Sequence, residues 1–254
     1  MSVDLEQTPL IKVLARLAIP IVQRGHSIMA SLDEPEHLGP LVPAEEYVAS
    51  SFLSAGHVLT VCSQLQHSAA YISQFRGTPK LRRLGVNRFT HIIYHLENHV
   101  IRTRIVFDRV LILTNVVFRL GNSEKNCTRD TVLKNQYIQE SDVLQPLKEL
   151  DAVLQQTRPT ANVVLHRRGY DEPLLGFAEL HYLVEEAGQR ALPSHFVKAE
   201  IDRFVIRKER QIFQVNDKIL EPVAQLFSDL GPICERIYRR LAESGEGSTG
   251  FSIE

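Results

Sequence analysis

The sequence has no tryptophan, few cysteines and no apolar run that could cross a bilayer. Aromatic residues make up only 7% of the 254 residues, so a broad platform for stacking nucleic-acid bases is not indicated. The three cysteines are an odd number without C-x-x-C spacing, which argues against a disulfide framework or a cysteine-based zinc site. The longest apolar run, residues 105–118, is too short to span a membrane and contains Asp108 and Arg109.

The first residues lack the features of a secretory signal. Asp4 and Glu6 come early, and no short apolar segment leads to a small-residue cleavage site. Together with the cysteine pattern, this predicts a soluble cytoplasmic protein with no membrane attachment.

The net charge of -1 excludes a polycation that coats nucleic acid. Any contact with a polyanion must therefore come from a local patch. Basic residues do cluster in three places, although a charge run taken alone is usually a solvated face. The clusters are Lys80, Arg82, Arg83 and Arg88; Arg158, Arg167 and Arg168; and Arg203, Arg207, Lys208 and Arg210.

Helical periodicity dominates the chain, and 44% apolar residues are ample for a core. No hairpin dipeptides separate alternating runs, so the predicted class is all-α. Asn87 can cap a long central helix that stops before Gly121 and Asn122. The predicted helices cover residues 10–29, 44–75, 88–120, 128–136, 141–156, 175–187, 194–226 and 233–242.

Prolines and glycines set the predicted boundaries. Pro20 suggests a kink or a break and Gly56 suggests a break. Pro159 favours a turn or the first residues of a helix, which leaves Arg158 outside the helix. Residues 77–80 are predicted as a loop, and residues 204–215 are locally ambiguous between strand and helix. We predict a single elongated domain over residues 1–243, followed by a Gly/Ser-rich disordered tail over residues 244–254.

The most informative segment is residues 161–170, which reads ANVVLHRRGY. Asn162 and His166 are spaced i and i+4, so on a helix they share one face. The segment resembles the Arg-Asn-x-x-x-His signature of HEPN domains, an all-helical superfamily that includes many prokaryotic toxin and defence ribonucleases. The Asn and His positions match, but the arginine position holds Ala161.

The central helix extends this resemblance. In HEPN-type bundles, a charged or polar residue of the first long helix often faces the catalytic Arg and His, and Glu97, Arg102 and Asp108 are the candidates here. The alternative for Asp108 is an ordinary surface pair with Arg104, at i and i+4. The resemblance covers about residues 87–170 and implies a HEPN-like bundle with additional helices at both ends.

The implied activity is metal-independent RNA cleavage without a cofactor, giving a 2′,3′-cyclic phosphate. Neutral imidazole at His166 would accept the proton of the 2′-hydroxyl, since it titrates in the right range. Asn162 would orient the phosphate or the imidazole. A guanidinium would stabilise the negative charge that develops on the phosphate, which Ala161 cannot do.

Ala161 leaves three explanations open. The chain is a natural non-catalytic member, or its site borrows an arginine from a partner subunit, or an arginine was replaced to silence a toxic nuclease. Because the neighbouring pattern is intact, we favour the third, in which the site is disabled.

The resemblance also implies partners. HEPN protomers usually pair their motif helices into one composite cleft, so a homodimer is expected. Arg158, Arg167, Arg168 and Tyr170 would line a groove for the RNA backbone. A toxin or antiviral-defence role would add an antitoxin or defence-system partner.

Two alternatives belong to other classes. The first is a non-catalytic module that uses the same bundle to dimerise or to bind a nucleotide or a protein. The second is a metal-dependent hydrolase on His91, His95 and His99, which recur every four residues. Three ligands from one helix to one metal are strained, because each step of four drifts around the helix.

Overall fold

The computed structural model describes residues 4–31, 41–164, 170, 172–189 and 193–246. Within these ranges the chain is helical without a strand, so the predicted all-α class is confirmed. The helices are α1 (Pro9–Ser31), α2 (Pro43–Ser73), α3 (Pro79–Arg83), α4 (Arg88–Phe118), α5 (Arg129–Leu133), α6 (Gln136–Gln139), α7 (Leu144–Val163), α8 (Pro173–Glu186) and α9 (Ser194–Glu246). Short 3-10 turns occur at Leu5–Gln7 and Glu124–Asn126.

Helix α4 begins as its sequence predicts. The side chain of Asn87 accepts a hydrogen bond from the Thr90 amide at 2.9 Å, and the Thr90 hydroxyl oxygen accepts one from the Asn87 amide at 3.0 Å. This reciprocal pair satisfies two N–H groups at the helix start. The helix ends at Phe118, two residues before the predicted end, and Arg119 has a positive φ of 54°.

The predicted breaks at proline and glycine are wrong where the helix is packed. Helix α7 continues through Pro159, so Arg158 lies inside the helix, and α9 continues through Pro232, where a break between two helices is predicted. Pro222 also lies inside α9, as the predicted helix over residues 194–226 has it. A proline in a helix costs about 3 kcal/mol or more. Burial of the apolar side chains beside it offsets that cost, as the fully buried Leu220 and Val223 show at Pro222. Pro20 and Gly56 likewise lie within helices α1 and α2.

Three shorter predictions also need correction. Thr78 caps the short helix α3 by accepting a hydrogen bond from the Leu81 amide, so residues 79–80 are helical rather than part of a loop. The segment 128–136 holds two short helices, α5 and α6, instead of one. Residues 204–215 are helical within α9, because tertiary packing of Phe204, Val205 and Ile212 overrides their local preference for a strand.

The chain divides into two compact units, each assembled from separate segments. The first unit comprises Met1–Thr60, Phe107–Asp151 and Leu220–Glu254. In it the Tyr47 hydroxyl donates to the Val117 carbonyl at 2.9 Å, and Gly231 packs directly against Pro9. The predicted single domain over residues 1–243 stays a prediction. Helix α9 reaches Glu246, and residues 247–254 of the predicted tail lie outside the described residues.

The second unit comprises Val61–Val106 and Ala152–Ile219, and it carries the segment that resembles the HEPN motif. Its core joins side chains of α2, α4, α8 and α9. The members are Ala69, Ile72, Phe89, Ile92, Leu96, Leu175, Ala178, Val197, Ile201, Phe204, Val205 and Ile212.

All three cysteines are buried as free thiols. Burial raises the pKa of Cys62 to about 12 and those of Cys127 and Cys234 to about 11.

Among the described helices, α2 alone has the length and apolar composition to cross a membrane. A single helix of this kind is weak evidence, because core helices of water-soluble proteins pass the same test. Val48, Val58 and Leu65 of α2 are fully buried, as expected of a core helix.

Candidate functional site

The site is built around the end of helix α7, where the motif residues lie. Ala161 is 1% exposed, so the arginine position of the motif faces packed side chains. Asn162 is exposed, and its side-chain carbonyl accepts a hydrogen bond of 2.9 Å from the guanidinium of Arg104 on α4. A guanidinium therefore lies at the motif even though position 161 has none.

Of the other residues predicted for catalysis or RNA binding near the motif, the structure describes only some. His166, Arg167 and Arg168 lie outside the described residues. Arg158 is exposed on α7, and its guanidinium lies 3.4 Å from the Gln155 side-chain oxygen.

Glu97 and Tyr170, which the sequence proposed separately, are in contact. The Tyr170 amide donates a hydrogen bond of 2.9 Å to the Glu97 carboxylate. Glu97 thereby holds the backbone where the chain leaves the motif segment, which is a positioning role.

Tyr170 also belongs to a charged cluster with α9. Lys208 forms an ion pair of 2.6 Å with Glu172, and its ammonium lies 5.8 Å from the centre of the Tyr170 ring. Burial lowers the pKa of Lys208, but the hydrogen bonds to Glu172 and Tyr170 and their charges together outweigh it, and the net pKa is raised. Burial raises the pKa of Tyr170, so the phenol stays neutral. The charge of Lys208 is thus compensated within the cluster.

A cavity of about 220 Å³ lies beside Tyr170 and Lys208. Helices α4, α7 and α9 supply the rest of its wall, which combines apolar and polar side chains. The lining residues are Leu96, His99, Val100, Thr103, Gln156, Thr157, Tyr170, Lys208, Gln211, Ile212 and Val215.

The hydrogen bonds of His99 fix its tautomer. The Asn216 amide nitrogen donates to the Leu65 carbonyl at 3.0 Å, so the Asn216 oxygen faces the His99 Nε2 at 2.8 Å. Because that oxygen only accepts, Nε2 carries the hydrogen and Nδ1 of the neutral ring is an acceptor. Burial lowers the pKa of His99, opposed by the Asn216 hydrogen bond, so the ring is neutral at neutral pH.

The alternative of a metal site on the three histidines is not supported. His91 Nε2 contacts the Tyr71 carbonyl at 2.8 Å, whereas His99 Nε2 is bound to Asn216. The rings of His91 and His95 pack edge to face with centroids 4.4 Å apart. Over the described part of the chain, no group of three or more His, Cys, Asp or Glu could hold a metal ion.

Arg102 and Asp108 are the remaining supporting candidates. Arg102 is half-buried on α4. Asp108 is exposed in the first unit, where burial and then its charge raise the pKa of Cys127. The proposed roles of both residues stay predictions.

The sequence interpretation missed Arg104, Asn216 and the pair of Lys208 with Glu172 as site residues. Arg104 was considered only as a surface partner of Asp108. A signal was present on α4, where His99 and Thr103 place polar groups one turn apart within an apolar stripe. The positions of Asn216 and Lys208 depend on packing between segments that are distant in sequence. His99 and Asn216, for example, are 117 residues apart.

These features define a protein of the all-helical bundle class, with a cavity of mixed apolar and polar lining that shares helix α7 with its most distinctive motif. The family model described as HEPN_Cthe2314-like HEPN matches residues 58–243, which is more than half of the chain. The chain belongs to this HEPN family. The match is wider than residues 87–170, where the motif resemblance lies. No curated protein and no solved structure matches the chain.

Proposed function

We propose that this protein is a metal-independent endoribonuclease of the toxin or antiviral-defence type, disabled in this chain at Ala161. The observation that carries the proposal is the exposed contact between Arg104 and Asn162 in a chain of the HEPN family. The pair keeps further N–H donors on both side chains, which suits an RNA phosphate.

The reaction would be attack of a ribose 2′-oxygen on the neighbouring phosphorus. His166 takes the hydroxyl proton, a P–O bond forms, and the bond to the 5′-oxygen breaks. The products are a 2′,3′-cyclic phosphate and a 5′-hydroxyl, whose oxygen takes up a proton. Arg104 and Asn162 hold the phosphate, and the missing arginine at position 161 removes the charge that stabilises the transition state.

A homodimer is part of this proposal. Two motif segments would form one cleft around the RNA, with Arg158, Arg167, Arg168 and Tyr170 along its walls. Glu97 would position Tyr170 through its hydrogen bond to the Tyr170 amide. Arg102 and Asp108 are further candidates for supporting residues. A toxin or defence role would require an inhibitory or activating partner.

The test is cleavage of a mixed-sequence RNA in EDTA by the chain as it stands and by Ala161→Arg. We expect the variant alone to cut, and His166→Ala in that background to stop it. Because Ala161 is buried, the unfolding midpoint of the variant is measured beside its activity. A folded Ala161→Arg protein that cuts no RNA contradicts the proposal. RNA binding by the unmodified chain supplies a second arm, since it needs no arginine at position 161.

The burial of Ala161 favours a second candidate, a non-catalytic HEPN module that dimerises or binds a nucleotide or a protein. At 1% exposure an arginine there must displace packed side chains. The same experiment separates the two candidates, because a non-catalytic module gains no activity from Ala161→Arg.

A further inference from the structure

The wall of the cavity in the second unit includes three hydrogen-bond acceptors that have no hydrogen to give, beside the N–H donors of Gln156, Gln211 and Lys208. The Thr103 hydroxyl donates to the Val100 carbonyl at 2.7 Å, and the Thr157 hydroxyl donates to the Leu154 carbonyl at 2.9 Å. Each threonine oxygen therefore keeps only acceptor capacity. His99 adds the Nδ1 acceptor of a neutral ring, on a side chain that is 6% exposed. A ligand that pairs with these three acceptors must bring donors, while Gln156 and Gln211 can donate to an acceptor of the same ligand.

The charge balance argues for a neutral ligand. Lys208 is the one cation among the described lining residues, and Glu172 neutralises it at 2.6 Å. A phosphate would compete with Glu172 for the ammonium of Lys208, and the displaced carboxylate would keep only the longer contact of 3.4 Å with the Tyr170 hydroxyl among its described partners. A neutral ligand leaves the pair intact.

The volume and the lining of the cavity restrict the class of ligand further. The cavity of about 220 Å³ is smaller than pockets for drug-sized ligands, which begin near about 300 Å³, and much larger than the share of one water, about 30 Å³. Leu96, Val100 and Ile212 provide apolar walls, and the neutral ring of Tyr170 provides an aromatic one. A flat heterocycle with a polar amino edge fits these walls.

The same helix carries this wall and the motif. Helix α7 contributes Gln156 and Thr157 to the cavity and Asn162 to the contact with Arg104. We propose that the cavity binds an amino-bearing nucleobase, namely adenine, cytosine or guanine, of a single-stranded RNA. This rests on the proposed function for the source of the base, while the recognition of the base depends only on the cavity.

The test measures binding of adenosine and inosine by calorimetry. Inosine has the same size, but a carbonyl replaces the amine and would face acceptors. We expect adenosine to bind at least about tenfold more tightly, because a missing donor leaves buried acceptors unpaired. Equal affinity, or no binding of either nucleoside at about 10 mM, overturns the proposal.

Variants assign the preference to the cavity. Thr103→Val and Thr157→Val each remove one acceptor with little change in volume, and we expect the preference for adenosine to fall in both. Thr114→Val is the matched control, since Thr114 is buried on α4 and its hydroxyl also donates to a carbonyl of its own helix, that of Val110, at 2.9 Å. A loss of preference in the control that equals the loss in the cavity variants overturns the assignment.

Nucleosides carry no phosphate to cleave, so their binding is measured whatever the outcome for Ala161→Arg. An RNA hexamer of uridines with one central adenosine separates the sources of the base. We expect it to bind more tightly than free adenosine and than the all-uridine hexamer. Binding of adenosine with no gain from the hexamer overturns the assignment to RNA and leaves a site for a free nucleoside.

Discussion

The guanidinium of Arg104 donates a hydrogen bond of 2.9 Å to the side-chain carbonyl of Asn162. Both side chains are exposed, so the pair is accessible to a polyanion. It links helix α4 to the motif at the end of α7, and it brings a positive charge to a motif whose arginine position holds Ala161.

Arg104→Ala is expected to weaken RNA binding and to make it less sensitive to salt. Removing one phosphate contact lowers the slope of log K against log salt by about 1. The measurement is the dissociation constant for single-stranded RNA between about 50 and 200 mM salt. Arg240→Ala, an equal loss of charge at an exposed position of α9, is the control. An identical slope change in both variants would show that only net charge matters.

Asn216→Ala is expected to destabilise the fold by about 2–4 kcal/mol. The change leaves the Nε2–H group of His99 and the carbonyl of Leu65 buried without their partner, and each such group costs about 1–3 kcal/mol. Urea unfolding gives the free energy. Gln214→Ala, on the exposed face of the same helix, should stay within about 0.5 kcal/mol of the parent. A similar small effect for both variants contradicts the proposed network.

Stability is expected to fall as the pH is lowered from about 6.5 to about 4. Burial, and then the charge of His91, lower the pKa of His95 from 6.5 to about 4. The unfolded chain therefore takes up a proton at higher pH than the folded chain does, and acid favours unfolding. His99 acts in the same direction. Above about pH 7 neither group contributes a pH dependence.

The measurement for this prediction is the thermal midpoint across pH 4–8 for the parent and for His95→Gln. The variant lacks one of the two imidazoles whose pKa is lowered in the folded chain, so its thermal midpoint should fall less steeply as the pH is lowered. Parallel curves for the two proteins would contradict the role of His95.

Two glycines should respond in opposite directions to alanine. A Cβ at Gly231 would lie 2.9 Å from the Pro9 Cβ and 3.0 Å from the Leu10 amide nitrogen, so backbone must move. Gly231→Ala is expected to destabilise by about 1–3 kcal/mol. Gly56 lies inside helix α2 with nothing within 4 Å of an added Cβ, so Gly56→Ala should stabilise by about 0.5–1 kcal/mol. Urea unfolding of both variants checks the pair, and equal signs would contradict it.

The all-α class and the start of the central helix could be predicted because their signals are local. Asn87 and Thr90 lie three residues apart, and their hydrogen bonds need no distant partner. The proline boundaries failed for the opposite reason. At Pro232 the packing of the buried neighbours Leu230 and Cys234 decides the backbone, and a propensity argument does not include packing.

The site could be predicted only where it is continuous in sequence. Spacing pointed to Asn162, and the family resemblance pointed to the surrounding segment. Arg104 is 58 residues from Asn162 in sequence. Lys208 on α9 pairs with Glu172, which directly precedes α8. Such pairings depend on how helices pack, and the spacing of residues in a single sequence does not reveal that packing.

The buried thiols offer a built-in reporter of local opening. The thiolate is the nucleophile that reacts with a thiol reagent. Burial suppresses formation of the thiolate at Cys62, Cys127 and Cys234. Cys62 belongs to the second unit and the other two belong to the first. Pulse labelling of the thiols followed by mass spectrometry therefore shows which unit opens locally first when RNA, acid or denaturant is added to the unmodified chain.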